Sequence, residues 1–201
     1  SLGFAVNIEV PATIKVVVTG EFPPFVGAKD LILNIIGTLT AQGAKYKVLE
    51  FHGETIRRMS TSGRIAVCNM SVEAGATSGI VPGDDETVRY LREESGVTEA
   101  IPCVAPDADA HYVRTVEVDV SALEPQIACP HMVDNVKPVS AVAGTKVQQI
   151  VIGSCTNGRL DDLAVAAEIL RGKKVATGTR MPWPTLLPTM SLTDAKPFSS
   201  R

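Results

Sequence analysis

The segment GSCTNGR (residues 153–159) concentrates side chains that could do chemistry between a predicted strand and a predicted helix. Backbone N–H groups and the helix dipole favour an anion at such a strand-to-helix turn. The same environment favours the thiolate of a cysteine, so Cys155 is predicted as a nucleophile or as a metal ligand. The alternative is that Cys155 is an ordinary buried thiol and that its neighbours only cap the helix. These short polar neighbours are Ser154, Thr156 and Asn157.

A second candidate is the segment CNMSVE (residues 68–73), which lies in a predicted helix. Asn69 and Glu73 are four residues apart and would therefore project from one face of that helix. A carboxylate and an amide surrounded by alanine and valine are costly to bury without partners. The pair is therefore predicted either to face a cleft or to lie on a solvated helix face.

Strand and helix patterns alternate along the chain and must position these two segments. Strands are predicted at residues 13–19, 45–51, 112–120 and 147–152, and helices at residues 28–42, 54–59, 62–75, 84–94 and 160–170. Residues 96–111 and 140–145 are predicted to be loops. This alternation predicts an α/β architecture in layers.

Composition restricts the class of protein. The chain has 201 residues, of which 45% are hydrophobic and 20% charged, with a formal net charge of −3. These values exclude whole-chain disorder. They also argue against a dedicated nucleic-acid-binding protein, which normally carries a basic surplus. The four cysteines form no CxxC pair, so neither a zinc ribbon nor a thioredoxin-like site is predicted.

The two ends of the chain are unusual. No signal peptide or membrane-spanning segment is predicted, so the expected location is the cytoplasm. The chain starts at Ser1 rather than at methionine, which suggests a processed or excised start. Four prolines in residues 180–201 predict a flexible tail, or a chain that departs from its proper sequence near Thr179.

At this point the two segments show a specific resemblance. VIGSCTNGRLDDLAVAAEILRGKKVA resembles the first cysteine motif of the aconitase superfamily, and RIAVCNMSVEAGATSGIVPGDDETVRYL resembles its asparagine–glutamate helix. LEPQIACPHMVDNVKPVS and VPATIKVVVTGEFPPFVGAKDLILNIIG narrow the resemblance to the large-subunit family of 3-isopropylmalate dehydratase and homoaconitase. The similarity runs from about Phe4 to about Gly178.

This resemblance implies a hydro-lyase that isomerises 2-isopropylmalate and 3-isopropylmalate by dehydration and rehydration, in leucine biosynthesis. In the family, three thiolates hold a 4Fe–4S cluster whose open iron acts as a Lewis acid. By motif match, Cys155 would be a cluster ligand, Asn69 would hydrogen-bond near the cluster, and Glu73 would contact bound water or the substrate hydroxyl. The residues expected around them, or in contact with substrate, are Ser154, Thr156, Asn157 and Arg159.

The sequence departs from the family pattern in the groups that complete the site. The downstream CxxC pair, the His- and Asp-bearing segments, the serine base and the substrate arginines are missing. The resemblance therefore implies a truncated or excised middle piece, inactive alone, whose parent enzyme pairs with a small subunit and binds a hydroxy-dicarboxylate. Neither nucleic acid nor membrane is an expected partner. Residues 179–201 are predicted to be an atypical tail that packs poorly.

The resemblance also implies how the chain is divided. Layered α/β/α domains of the aconitase iron–sulfur type are expected, one complete at residues 1–116 and one partial at residues 117–178.

Three alternatives to the dehydratase remain: a homoaconitase or related malate dehydratase large subunit, a non-catalytic binding or assembly module, and an enzyme that uses Cys155 as a nucleophile.

Overall fold

Six strands in the described part of the chain form two sheets. The computed structural model describes residues 9–181. Its strands are β1 (Ala12–Thr19), β2 (Lys47–His52), β3 (Ser78–Ile80), β4 (Arg114–Asp119), β5 (Gln126–Ala128) and β6 (Val136–Pro138). The first four form a parallel sheet in the order β3-β2-β1-β4, and the last two form an antiparallel pair.

Helices connect and cover the strands of the parallel sheet. They are α1 (Ala28–Leu39), α2 (Glu54–Arg58), α3 (Thr61–Met70), α4 (Asp85–Glu93) and α5 (Leu160–Leu170). Two 3₁₀ turns occupy Ser71–Ala74 and Val139–Val142. The chain therefore has the predicted α/β architecture, with parallel strands joined by helical crossovers. Among residues 9–181, no helix has the length and apolar character that crossing a membrane requires.

The core lies between β1 and α1. Alternate β1 residues Ile14, Val16 and Val18 are almost completely buried, as the two-residue period of a strand requires. The α1 residues that recur at helical spacing pack into the same cluster, and Ile35 is fully buried in it. Val16 lies beside Phe51 of β2, also fully buried. This packing fixes the sheet on which α3, the helix of Asn69, is supported.

Two predicted helices end earlier than the sequence pattern indicates. The helix expected over residues 28–42 ends at Leu39, because Thr40 adopts φ +69°, a conformation that ends the helix. The helix expected over residues 62–75 ends at Met70 and continues as the 3₁₀ turn that contains Glu73. Asn69 and Glu73 therefore do not share one continuous α-helix.

The predicted strand at residues 147–152 is wrong. This segment forms only an isolated bridge between Gln149 and Arg180. A strand needs a neighbouring strand whose backbone can pair with its own. This segment pairs only with Arg180, through the hydrogen bonds Ile150 N–H to Arg180 O and Arg180 N–H to Gln148 O. Conversely, the sequence pattern missed β3, β5 and β6, each three residues long. The predicted loop at residues 140–145 contains most of the second 3₁₀ turn.

The domain boundary near residue 116 remains a prediction. The predicted tail falls almost wholly in residues 182–201, outside the described residues.

Candidate functional site

The two candidate segments meet in the structure. Asn69 Nδ2 donates a hydrogen bond to Cys155 Sγ at 3.3 Å, across 86 residues of sequence. Asn69 lies in the last turn of α3, and Cys155 lies in the turn before α5. This contact gives Cys155 the surroundings of a ligand or a nucleophile rather than of a buried structural thiol, because its side chain is also exposed.

The turn that carries Cys155 is tight and strained. Ser154 adopts φ +81°, a conformation that side-chain-bearing residues rarely adopt. A Cβ at Gly158 would lie 2.6 Å from the carbonyl oxygen of Ser154, so the turn closes only with glycine there. Strained backbone of this kind clusters at functional sites, where the surrounding structure maintains it.

Lys29 holds the same turn from α1. Its Nζ donates to Thr156 Oγ1 at 2.9 Å, across 127 residues of sequence. The hydroxyl oxygens of Thr156 and Ser154 are 3.2 Å apart, which places both within hydrogen-bonding distance of each other. The turn is thus attached to the sheet domain at two places, by α3 through Cys155 and by α1 through Thr156.

Asn69 and Cys155 line a cavity of about 740 Å³ between α3, β3 and the start of α5. Cys68 lines it too, and burial raises the pKa of the Cys68 thiol to about 11, so that this thiol stays protonated near neutral pH. Arg159 also lines the cavity. Arg64 also borders it, but its guanidinium forms a two-pronged ion pair with Asp84, at 2.6 and 2.9 Å.

The remaining predicted site residues lie apart from this cavity. Glu73 is exposed in the 3₁₀ turn and is not among the residues that line the cavity. Thr156 and Asn157 line a second cavity of about 510 Å³, which opens near Gly20 at the carboxyl end of β1. The structure therefore brings Cys155, Asn69 and Arg159 to one cavity and leaves Glu73 outside it.

Helix α5 begins at Leu160, as the sequence predicts, with Arg159 as its N-cap. Cys155 lies in the turn that precedes this helix. The carboxylate of Asp162 accepts the backbone N–H of Arg159 at 3.0 Å and so satisfies the helix N-terminus.

Sequence reasoning missed Lys29, Arg64 and Cys68 as neighbours of the site. Lys29 and Thr156 are too far apart in sequence for any spacing pattern to connect them. Arg64 and Asp84 offered a weak signal, since a charge on the buried face of a helix needs a partner. Cys68 could have been noticed from its position next to Asn69.

The residues at the site do not by themselves provide the ligands of an iron–sulfur cluster. Within residues 9–181, no group of three or more histidine, cysteine, aspartate or glutamate side chains is arranged to hold a metal ion. Cys155 is the exposed thiol at the cavity, and Cys68 is kept protonated by burial. The described part of the chain can therefore supply one ligand from the predicted motif, and a cluster needs several thiolates.

Comparison with known proteins identifies the family. Residues 2–145 match the family model described as the aconitase family (aconitate hydratase). The chain is 49% identical over 172 residues to the 3-isopropylmalate dehydratase large subunit 1 of Methanopyrus kandleri, covering 86% of this chain and 41% of that protein. It is 49% identical over 173 residues to the corresponding large subunit of Elusimicrobium minutum, with the same coverage of both chains.

A relative with a different name is almost as similar. The probable methanogen homoaconitase large subunit of Methanosarcina mazei is 48% identical over 171 residues, covering 85% of this chain and 43% of that protein. The chain thus spans about two-fifths of the length of the curated relatives it matches. Both the α/β sheet and the match over residues 2–145 lead to one conclusion: the chain belongs to the aconitase family.

Proposed function

We propose that this chain is the part of a 3-isopropylmalate dehydratase large subunit that carries its asparagine–glutamate segment and its first cluster cysteine. The parent enzyme is a hydro-lyase that moves a hydroxyl group between adjacent carbons of a branched hydroxy-dicarboxylate. The contact between Asn69 and Cys155 carries this proposal, because it joins the two segments whose motifs resemble the family's site. Relatives named as dehydratase large subunits support the choice of substrate.

The proposed roles follow from chemistry and position. Cys155 acts as a thiolate ligand, and the Asn69 amide steadies it by donating to sulfur at 3.3 Å. Ser154, Thr156 and Asn157 shape the turn that presents this thiolate, with Lys29 bound to Thr156. Their role is to orient the ligand, as the partners of a metal-binding group generally do.

Glu73 is the proposed catalytic carboxylate. It is exposed in the 3₁₀ turn that follows α3, within one turn of Asn69. An exposed carboxylate there can exchange a proton with a substrate hydroxyl or with water. Because it lies outside the cavity lining, this role requires the substrate to span from the cavity to the turn.

The cluster itself belongs to the parent enzyme in this proposal. A 4Fe–4S cluster would supply the Lewis acid, but the residues at this cavity do not complete its ligand set. The isolated chain is accordingly proposed to be inactive. The proposal also assigns a small-subunit partner to the parent enzyme, because the relatives are named large subunits. Its cellular location is proposed to be the cytoplasm, the usual place of reduced thiols.

The test compares the isolated chain with the assembled enzyme. A chimaeric large subunit, in which this chain's sequence replaces the matching segment of the Methanopyrus kandleri large subunit, is co-expressed with a dehydratase small subunit, reconstituted anaerobically with iron and sulfide, and assayed with 2-isopropylmalate. We expect an EPR-active cluster and dehydration, both lost in Cys155→Ser but retained in Cys103→Ser, a matched change at an exposed thiol away from the cavity. The isolated chain should show neither. Full turnover by the isolated chain, or by Cys155→Ser, would refute the proposal.

A homoaconitase is the second candidate, favoured by the 48% identity to the Methanosarcina mazei protein. The same preparation distinguishes the two when it is assayed with homoaconitate beside 2-isopropylmalate. A specificity constant at least tenfold higher for homoaconitate would select the homoaconitase. Assembly with a small subunit but no turnover of either substrate would instead favour a non-catalytic assembly module.

A further inference from the structure

Arg159 lines the Asn69–Cys155 cavity and has no ion-pair partner among residues 9–181. Its backbone N–H donates to Asp162, and the Asp162 carboxylate also attracts the Arg159 charge at longer range without forming an ion pair with it. An arginine is charged at every physiological pH, so this positive charge faces the cavity permanently.

The other arginine of the cavity is already neutralised. Arg64 donates to both carboxylate oxygens of Asp84 and to the carbonyl oxygens of Met59 and Arg57, which occupies four of its five N–H groups. The Asp84 carboxylate therefore already balances the charge of Arg64. Arg159, which has no ion-pair partner among the described residues, is the better placed of the two to bind an incoming anion.

The lining of the cavity contains no aspartate or glutamate among the described residues. Its other polar groups are the Asn69 amide, the Cys155 sulfur and hydroxyl groups such as those of Thr77 and Ser78. With Arg64 paired and Arg159 unpaired, the cavity carries a net positive charge. A concave site of this kind attracts a negatively charged small molecule.

The Arg159 side chain also has an unmet hydrogen-bonding requirement. Its Nε is buried and has no hydrogen-bond partner among the described residues. A buried N–H without an acceptor is costly, so the side chain gains when it turns toward an acceptor in the cavity. The planar fork formed by Nε and one Nη matches the two oxygens of a carboxylate.

We propose that Arg159 binds a carboxylate group of the ligand that occupies this cavity, and so orients a dicarboxylate beside Cys155. The identity of the carboxylate as that of the substrate rests on the proposed function. The binding itself rests on the cavity, its charge and the unpaired guanidinium.

Protection of Cys155 from alkylation tests this proposal in the 201-residue chain. Iodoacetamide labelling is followed by peptide mass spectrometry in increasing 2-isopropylmalate or succinate, with neutral succinamide as the uncharged control. Both carboxylates should slow labelling of Cys155 with saturation, and succinamide should not. Arg159→Gln should weaken the apparent affinity about 10- to 100-fold, the effect of losing charged hydrogen bonds. Arg171→Gln, a matched change at the exposed C-terminal end of α5, should leave it unchanged.

Each other outcome has a defined meaning. Equal affinity in wild type and Arg159→Gln, or no protection by either carboxylate, overturns the inference. Arg159→Lys keeps the charge without the fork, so it provides a folded variant of intermediate affinity if Arg159→Gln misfolds. Turnover of the assembled enzyme with an unchanged KM in Arg159→Gln would overturn this inference and leave the proposed function standing. Protection that depends on Arg159, without any turnover by the assembled enzyme, would support this inference and overturn the proposed function.

Discussion

Replacing Asp84 by alanine should destabilise the fold far more than the matched change at the neighbouring Asp85, because it leaves a buried guanidinium without its anion. The Arg64 side chain is only 5% exposed, and its terminal nitrogens lie 2.6 and 2.9 Å from the oxygens of Asp84. Asp84 also caps α4 by accepting the backbone N–H groups of Glu86 and Thr87. One substitution therefore removes an ion pair and a helix cap together.

The expected loss is about 4 kcal/mol. Breaking a buried ion pair on one side costs about 3 to 5 kcal/mol. The lower value applies because Asp84 is 31% exposed and because Arg64 keeps two backbone carbonyl acceptors. Loss of the cap adds about 1 kcal/mol. With a urea dependence of about 2 kcal/mol per M, the unfolding midpoint should fall by about 2 M.

Urea unfolding followed by circular dichroism measures this loss, with Asp85→Ala as the control. Asp85 is exposed in the first turn of the same helix and has no such partner in the described residues, so its loss should cost about 0.5 kcal/mol or less. The hydrogen bond from Arg64 lowers the pKa of Asp84 below the usual value of an aspartate, about 3.9. Stability from the pair is therefore present at neutral pH and is lost as the pH falls below that value. Equal midpoints for the two variants at neutral pH would refute the reasoning.

Four further outcomes are expected. Ile35→Ala should lower the free energy of unfolding, measured by denaturant titration, by about 2 to 5 kcal/mol, because removing this fully buried side chain leaves a cavity. A smaller loss would show that α1 moves toward the sheet and fills that cavity. Glu86→Gln should flatten the acid dependence of the unfolding free energy, because the hydrogen bond from Arg89 lowers the pKa of Glu86 to about 2. The stability that the ionised Glu86 contributes is lost as the pH falls from about 4.5 toward 2, so an unchanged acid profile would contradict this prediction. Lys29→Met should increase hydrogen exchange at residues 153–158 with little change in melting temperature, because it removes the hydrogen bond that joins this turn to α1. Unchanged exchange would show that the bond from Lys29 to Thr156 does not stabilise the turn. Gly158→Ala should open the same turn and slow cluster incorporation in the assembled enzyme, measured by iron content, and normal incorporation would show that the turn tolerates a Cβ.

The sequence predicted the long elements well, because their burial patterns repeat within the element itself. Residues 13–19 alternate as a strand must, and α1 repeats its apolar residues at helical spacing. The short strands β3, β5 and β6 were missed because three residues carry too little periodicity to be recognised. Residues 147–152 had the composition of a strand and lacked the neighbour that would make them one.

For the candidate site, too, the sequence predicted the residue types but not the contacts between them. The residue types at Asn69, Cys155 and Arg159 were visible from their motifs. Their meeting at one cavity was not, because Asn69 and Cys155 are 86 positions apart in the sequence. The catalytic role of Glu73 stays a prediction: the sequence placed Glu73 on one helix with Asn69, whereas in the structure it lies in the 3₁₀ turn that follows α3 and does not line the cavity.

By itself, the sequence determined the α/β class and the identity of the candidate site side chains, since periodicity and residue type are local properties of a chain. The tertiary structure alone decided which groups act together. It brought the Asn69 amide to the Cys155 sulfur and paired Arg64 with Asp84. Among residues 9–181 it left the buried Nε of Arg159 without a hydrogen-bond partner. Hydrogen bonds and ion pairs depend on distances of about 3 Å between atoms, and only the folded chain sets those distances.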